Sequence, residues 1–399
     1  MKKRIPRPTL KEIEKIISEF QKRYPKYIEA EIICTSPNKI PVWMIKVTDK
    51  GVSSEDKSNV LIVGGHHGDE ESGRAACIGA LEWLVTEKAG EVLKKQQVLI
   101  VPCVNVEGTM KNEHCNSNNV DLCRDYTMNG GTSQPEVKGI LNIADRYKPD
   151  VTVDVHGLAG GAIHEMVLPV QTREYCEDDW IHNMLARDMR NAAERKGYPM
   201  AGHSLSWSGW FDSDLKNPVH LNTYCYKKYH SIGILTEGNE ATFDYGQMKE
   251  SGSLRLIELL KAGNKKYPFE YYPGYPNRII SGSFFFGLIA YGKTAEERRN
   301  STVDILKNLD HFSFGQKYPI KKGQADLTVK YKGETLTKGA SFRYRRKGLI
   351  KPKGVYFDNR KLNISETNGF VIWYDHCSTY IQWNIPELSE GEHKLKLKY

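Results

Sequence analysis

Four short apolar runs, set apart by segments of helical length, constrain this chain more than any other feature. Residues 60–63 run into Gly64 and Gly65, and residues 98–101 into Pro102. Residues 151–155 run into His156 and Gly157, and residues 232–236 into Glu237 and Gly238. A mostly apolar run of this length reads as a strand buried on both faces. That requires helices above and below a mostly parallel sheet. Between the runs, residues 75–85, 135–147 and 247–263 carry helical periodicity, with Ser133 and Glu136 as a predicted capping box for the second of them. Before them, Thr9 and Glu12 form a capping box ahead of Leu10, Ile13, Ile16, Ile17 and Phe20, and residues 27–47 read as two strands around Ser36-Pro37-Asn38.

The texture changes near residue 267. Residues 271–276 alternate tyrosine with proline and glycine, residues 294–310 read as a helix, and from about 318 short alternating strands follow one another at turn-punctuated intervals. The expected strands are 325–331, 340–345, 354–357, 369–374, 380–383 and 393–397, a small all-β domain of sandwich type. The expected organisation is therefore a layered α/β domain over 1–267, a connecting segment with a helix over 268–317, and the β domain over 318–399.

The formal net charge of +8 comes from scattered basic residues, and no element carries the clustered basic face that nucleic acid would require. The eight cysteines, Cys34, Cys77, Cys103, Cys115, Cys123, Cys176, Cys225 and Cys377, form no CxxC, and several lie in apolar runs; they read as reduced and buried. Residues 1–20 lack an apolar signal-peptide core, and the longest greasy stretch, 284–291, is too short to span a bilayer. No membrane association is expected, and a cytoplasmic location follows by default.

The chemistry lies where the runs end. His67 and Glu70 stand three apart just after the first run, a spacing that faces them the same way on a helical turn, and imidazole and carboxylate are both good zinc ligands. Alone the pair is an ordinary surface turn. A catalytic zinc takes three protein ligands and keeps a position open, and His156, at the end of another strand, supplies the third. His164 competes with His156 and His66 with His67; a strand terminus favours His156, and the step to Glu70 favours His67. Glu237, at the end of the fourth run, is placed to accept a proton from water.

Taken in order, these residues resemble the zinc carboxypeptidase A-like metallopeptidase family over about residues 9–263. His67 with Glu70 matches the HxxE, Asn105-Val106-Glu107-Gly108 an NPDG-like turn, Asp121-Leu122-Cys123-Arg124 a DLNR-like motif, His156 the distant ligand and Glu237 the late base. The resemblance implies a three-layer α/β fold, a mixed eight-stranded sheet between helices. It implies one zinc ion per chain on His67, Glu70 and His156, with Asp121 orienting a ligand imidazole. Arg124 would pair with a substrate carboxylate and Glu237 would serve as general base. Two departures stand out. Cys123 replaces the motif's asparagine and cannot donate an amide hydrogen bond to a carboxylate. The arginine that stabilises the oxyanion in related sequences has only His114, or Lys111 after it, as a counterpart. Tyr224 is the candidate for the family's substrate-facing tyrosine, ahead of Tyr226 and Tyr229.

Three readings follow. The first is a metallocarboxypeptidase cleaving a peptide near its C-terminal residue. The second is an N-acyl amino acid deacylase of the succinylglutamate desuccinylase and aspartoacylase branch, whose HGNE and DLH resemble His67-Gly68-Asp69-Glu70 and Asp154-Val155-His156. The third is a catalytically impaired binding protein on the same scaffold. The substrate would be a peptide or an acyl amino acid; residues 203–230 would separate the first two.

Overall fold

The computed structural model describes residues 8–54, 57–128, 131–158, 164–169, 179–201, 219–229, 231–262, 279–282, 286–289, 291–316, 323–374 and 378–399. They fall into two compact units, Met1–Leu260 and Lys261–Tyr399. Cys176, Cys377, most of 203–230 and the tyrosine-rich segment 271–276 lie outside the described residues. No described helix is long and apolar enough to cross a membrane, and the six described cysteines are free.

In the first unit, helix α1 (Leu10–Arg23) starts at the expected capping box. The Thr9 hydroxyl accepts from the Glu12 amide, and the Glu12 carboxylate accepts from the Thr9 amide. Strands β1 (Ile28–Thr35) and β2 (Pro41–Val47) follow as an antiparallel hairpin. Then come β3 (Ser58–Gly64), α2 (Glu71–Leu84), α3 (Gly90–Lys95), β4 (Gln96–Val101), α4 (Val106–Lys111) and α5 (Pro135–Tyr147). The unit continues with β5 (Val151–Leu158), β6 (Met166–Pro169), α6 (Asp179–Glu194), α7 (Leu221–Tyr229), β7 (Ile232–Asn239) and α8 (Tyr245–Ala262).

The sheet order is β1-β2-β4-β3-β5-β7-β6. The four apolar runs are its centre: β4, β3, β5 and β7 are mutually parallel. The outer strands run antiparallel, which makes the sheet mixed. Seven strands lie among the described residues, where the resemblance implies eight. β4 is buried along its whole length, and β3 and β5 at all but one residue, so both of their faces are covered. α2 packs on β3, β5 and β7, and α7 on β5 and β7. From β3 the chain crosses to β4 on one side and later to β5 on the other. The carboxyl ends of β3 and β5 therefore flank a topological switch point, where open α/β sheets build their sites.

One local expectation fails. α5 is not capped by Ser133 with Glu136. Its N-cap is Gln134, which makes no side-chain cap. The carboxylate of Asp125, ten residues before the helix, accepts from the amides of Ser133 (2.9 Å) and Gln134 (2.8 Å) instead. A carboxylate at a helix start is the stronger acceptor and also meets the positive end of the helix dipole. Glu136, released from capping, is fully buried.

The second unit contains β8 (Ile279–Gly282), β9 (Phe286–Ile289), α9 (Ala295–Lys307), β10 (Phe312–Gln316), β11 (Gln324–Tyr331) and β12 (Ala340–Lys347). After these come β13 (Gly354–Phe357), β14 (Arg360–Lys361), β15 (Gly369–Tyr374), β16 (Ser378–Ile385) and β17 (Gly391–Lys398). Two antiparallel five-stranded sheets form, β10-β11-β17-β13-β14 and β15-β16-β12-β9-β8. They enclose one apolar core that includes Phe342, Ile381 and Trp383 from one sheet and Leu327, Val329 and Leu395 from the other. The indole of Trp383 donates to the Tyr356 carbonyl of the opposite sheet at 3.1 Å. The β domain thus begins earlier than residue 318. β9 pairs with β12 and β10 with β11, so the segment expected to be a connector supplies strands to both sheets. β8 and β9 have four residues each, too few to show the alternation by which strands are read.

Candidate metal centre

β3 delivers the chain to its carboxyl end, and Gly65 turns it with φ +68°, a conformation that disfavours any residue with a Cβ. Gly68 packs against the start of the next loop so closely that a Cβ would stand 2.1 Å from the Gly108 carbonyl carbon. Between these glycines His66 and His67 diverge. Glu70 occupies the N-cap of α2 without using its side chain as a cap, so the carboxylate is turned to other partners.

Those partners are the expected ones. Glu70 Oε1 lies 2.7 Å from His67 Nδ1, and Glu70 Oε2 lies 3.0 Å from His156 Nδ1. The two Nδ1 atoms are 3.3 Å apart. All three residues are buried. The Gly157 amide donates to Glu70 Oε2 at 3.0 Å, which ties the carboxylate to the end of β5.

The far nitrogen of each ring meets a carboxylate. His67 Nε2 is 3.1 Å from Asp121 Oδ1, and His156 Nε2 is 3.0 Å from Asp154 Oδ2. Both nitrogens of each ring thus face a carboxylate oxygen, which only accepts: Glu70 on the Nδ1 side, and Asp121 or Asp154 on the Nε2 side. Two imidazole nitrogens and a carboxylate converge within hydrogen-bonding distance of one another, a set of atoms that can close around a cation. The ionisation behaviour reports the same convergence. Burial alone would lower His67, but its hydrogen bonds to Asp121, Cys123 and Glu70 push it up to about 11. Burial would also lower His156, yet Asp154 and Glu70 hold it well above the usual range. Burial would raise Glu70, and His156 and His67 outweigh that and hold it below the ordinary carboxylate range. Two imidazoles among three carboxylates call for positive charge, and the donor set, two nitrogens and a carboxylate, suits zinc.

Glu237 reaches the same place from β7. It is the register partner of His156 in the parallel β5–β7 pair, so the two side chains share a face of the sheet. Its Oε2 is buried and has no hydrogen-bond partner among the described residues. Burial pushes its carboxyl up to about 7, with His156 opposing and Glu70 adding to the shift.

The remaining candidates divide. Asp121 caps the 3₁₀ turn Leu122–Arg124, accepts from the Cys123 amide and pairs with Arg124, whose side chain is 44% exposed. Cys123 is buried, with its sulfur 3.8 Å from His220 Nδ1. His114 stacks on the His67 ring at 3.7 Å and lies 3.2 Å from Asp69, so it stands at the cluster. Lys111 closes α4, whose cap Asn105 accepts from the Gly108 amide and donates to the His114 carbonyl. Tyr224 is not brought in. It is buried on α7, and its hydroxyl accepts from Lys228, which pairs with Asp145 on α5. Its place is the packing of helices, because the apolar face of α7 turns it inward. His164 is exposed and makes no contact with the cluster among those described.

Sequence reasoning weighed His66 only as a rival ligand to His67 and Asp154 only as part of a DLH-like segment, and it passed over Tyr126 and His220. Asp154 left a signal: it precedes His156 by two on a strand, the period that puts side chains on one face, and it is a charge inside a run otherwise apolar. Tyr126 and His220 left none, because what brings them in is the folding of distant segments.

Residues 13–210 match the family model described as zinc carboxypeptidase. Through its first unit, the chain belongs to the zinc carboxypeptidase family. Carboxypeptidase SOL1 of Arabidopsis thaliana is 28% identical over 191 residues, 44% of this chain and 39% of that protein. Carboxypeptidase D of Anas platyrhynchos is 26% identical over 187 residues, 40% of this chain and 13% of that protein. The chain therefore spans well under half the length of these curated relatives. Bovine thrombin-activatable fibrinolysis inhibitor, solved with a tick carboxypeptidase inhibitor, superposes with a TM-score of 0.51 at 18% identity, covering 64% of this chain and 97% of that one. A metallo-carboxypeptidase from Burkholderia cenocepacia gives 0.53 at 13% identity, over 63% and 68%. At these identities the structures speak for the fold alone.

Proposed function

We propose that the chain is a zinc-dependent metallocarboxypeptidase-type amide hydrolase, with one zinc ion on His67 Nδ1, Glu70 and His156 Nδ1. The observation that carries this reading is the convergence of two imidazole nitrogens and the Glu70 carboxylate, with each imidazole backed by a carboxylate of its own. When bound, zinc supplies a Lewis acid for the scissile carbonyl and lowers the pKa of water. Glu237, on the same sheet face as His156, takes the proton of the attacking water and delivers it to the leaving amine. Its unpartnered buried oxygen is suited to that transfer, since no competing donor has to be displaced. Arg124, half-exposed beside the cluster, pairs with the carboxylate of the substrate, a task for a planar guanidinium. His114, stacked on His67, is the donor group assigned to the oxyanion.

The test is a metal analysis of the purified protein together with a panel of peptides with free C-termini and N-acyl amino acids. The wild type holds about one zinc per chain and cleaves peptides. Glu237→Gln keeps its zinc and loses roughly 10²–10⁴-fold in turnover. Full activity in that variant would remove Glu237 from the mechanism. Cleavage confined to N-acyl amino acids would move the chain to the deacylase reading.

A further inference from the structure

Behind His156, on the side away from Glu70, lies a second cluster of donor atoms. His66, Asp154 and Tyr126 are completely buried and His156 nearly so. His66 Nδ1 lies 2.8 Å from Asp154 Oδ1, and His66 Nε2 lies 2.7 Å from the Tyr126 hydroxyl. Asp154 Oδ2 lies 3.0 Å from His156 Nε2 as an ion pair, and neither atom has a hydrogen-bond partner among the described residues. His66, Asp154 and His156 together have the composition of a metal site.

We infer that this cluster is a positioning relay for His156, running Tyr126 to His66 to Asp154, and not a second metal site. The inference rests on the proposed zinc centre. Proton placement follows from what each group is able to do. Asp154 only accepts, so His66 Nδ1 carries a hydrogen and donates it. His66 Nε2 is paired with the Tyr126 hydroxyl, which is able to donate or accept. Both nitrogens of His66 are thereby used. A metal on the same atoms would have to displace that hydrogen and would need a path to atoms with no solvent exposure. With Oδ1 of Asp154 held by His66, the carboxylate has one orientation left, and Oδ2 is directed at His156 Nε2. That holds the imidazole with Nδ1 toward Glu70 and makes it a better donor there.

The relay also joins the two ligand-bearing strands to a third element. His66 and His67 follow β3, and Asp154 and His156 belong to β5. Tyr126 lies five residues after Asp121, the carboxylate behind His67, and its carbonyl accepts from the Val219 amide at 2.8 Å. The segment 121–126 therefore sits behind both ligand histidines: Asp121 backs His67 directly, and Tyr126 backs His156 through His66 and Asp154.

The experiment compares full-length wild type, Asp154→Asn and Tyr126→Phe. The readouts are zinc affinity by competition with a chromogenic chelator, the visible spectrum of the cobalt(II)-substituted protein, and kcat and KM on the peptide that wild type cleaves best. Circular dichroism and thermal unfolding of the metal-free proteins establish that each variant folds. Asp154→Asn lowers zinc affinity about 10–100-fold, shifts the cobalt bands and lowers kcat more than KM changes. Tyr126→Phe keeps the fold and moves the same readouts in the same direction by less. Wild type binds one zinc, not two. A second tight zinc lost in Asp154→Asn would overturn the relay in favour of a metal site. A folded Asp154→Asn with wild-type affinity and cobalt spectrum would overturn it outright. If Asp154→Asn does not fold, unchanged cobalt bands in Tyr126→Phe overturn it. Failure of the parent reading looks different: wild type then neither binds zinc nor hydrolyses any member of the panel.

Discussion

Glu237 illustrates how one residue couples function to stability. Its carboxyl is raised from 4.5 to about 7 by burial, so the folded protein holds that proton after the unfolded chain has released it. Between those two pH values the native state binds more protons, and stability falls as pH rises through the window. In the metal-free protein, Glu237→Gln should therefore be more stable than wild type at pH 8 by about 1–3 kcal/mol, and indistinguishable from it at pH 4. Urea titrations at the two pH values check this; equal stability at pH 8 would show that the carboxylate is solvated. A catalytic group that destabilises its own fold is an ordinary cost of activity. His156 tests the opposite case. His156→Ala removes one of the three donors and leaves Glu70 and Asp154 facing a gap, so the variant should lose zinc on dialysis that wild type survives. At this scale the sequence was legible where a residue type and a strand end coincide, as for His67, Glu70, His156 and Glu237. It was silent on the pairing of His66 with Tyr126, which are separated by 60 positions and meet only in the folded chain.

Among elements, the ends proved less legible than the bodies. The central strands and α5 stand where hydrophobic periodicity puts them, because burial on a sheet or helix face is a local pattern repeated along the chain. The start of α5 does not follow the local pattern, because Asp125 binds the amides of Ser133 and Gln134 just ahead of the helix. Asp125→Ala should destabilise the first unit by about 1–2 kcal/mol, and Glu136→Gln should not reproduce the loss of a cap. Chemical denaturation of the two variants side by side decides it. The same reasoning covers β8 and β9. Strands of four residues carry too little pattern to be read alone; pairing identifies them, β9 with β12 and β8 with β9.

For the molecule as a whole, the zinc centre should act as a brace between strands. It joins the end of β3 to the end of β5 at the switch point of the sheet. A ligand that binds only the folded state adds RT ln(1 + [L]/Kd), about 4 kcal/mol at a thousandfold excess over Kd. Chelation should therefore lower the unfolding temperature and speed amide exchange at the carboxyl ends of β3, β5 and β7. Exchange in β11 and β17 should be unchanged; hydrogen exchange with and without chelator measures both. The sequence by itself determined the layered first unit, the β-rich second unit and the four residues at strand ends that converge. These depend on residue type and period, which are local properties. Only the tertiary structure decided that β3 and β5 are neighbours, that Asp154 backs His156, that Tyr224 packs away from the centre, and that the second unit recruits strands before residue 318. Those outcomes depend on which distant segments share a sheet edge or a buried face, and no local pattern in the chain encodes that choice.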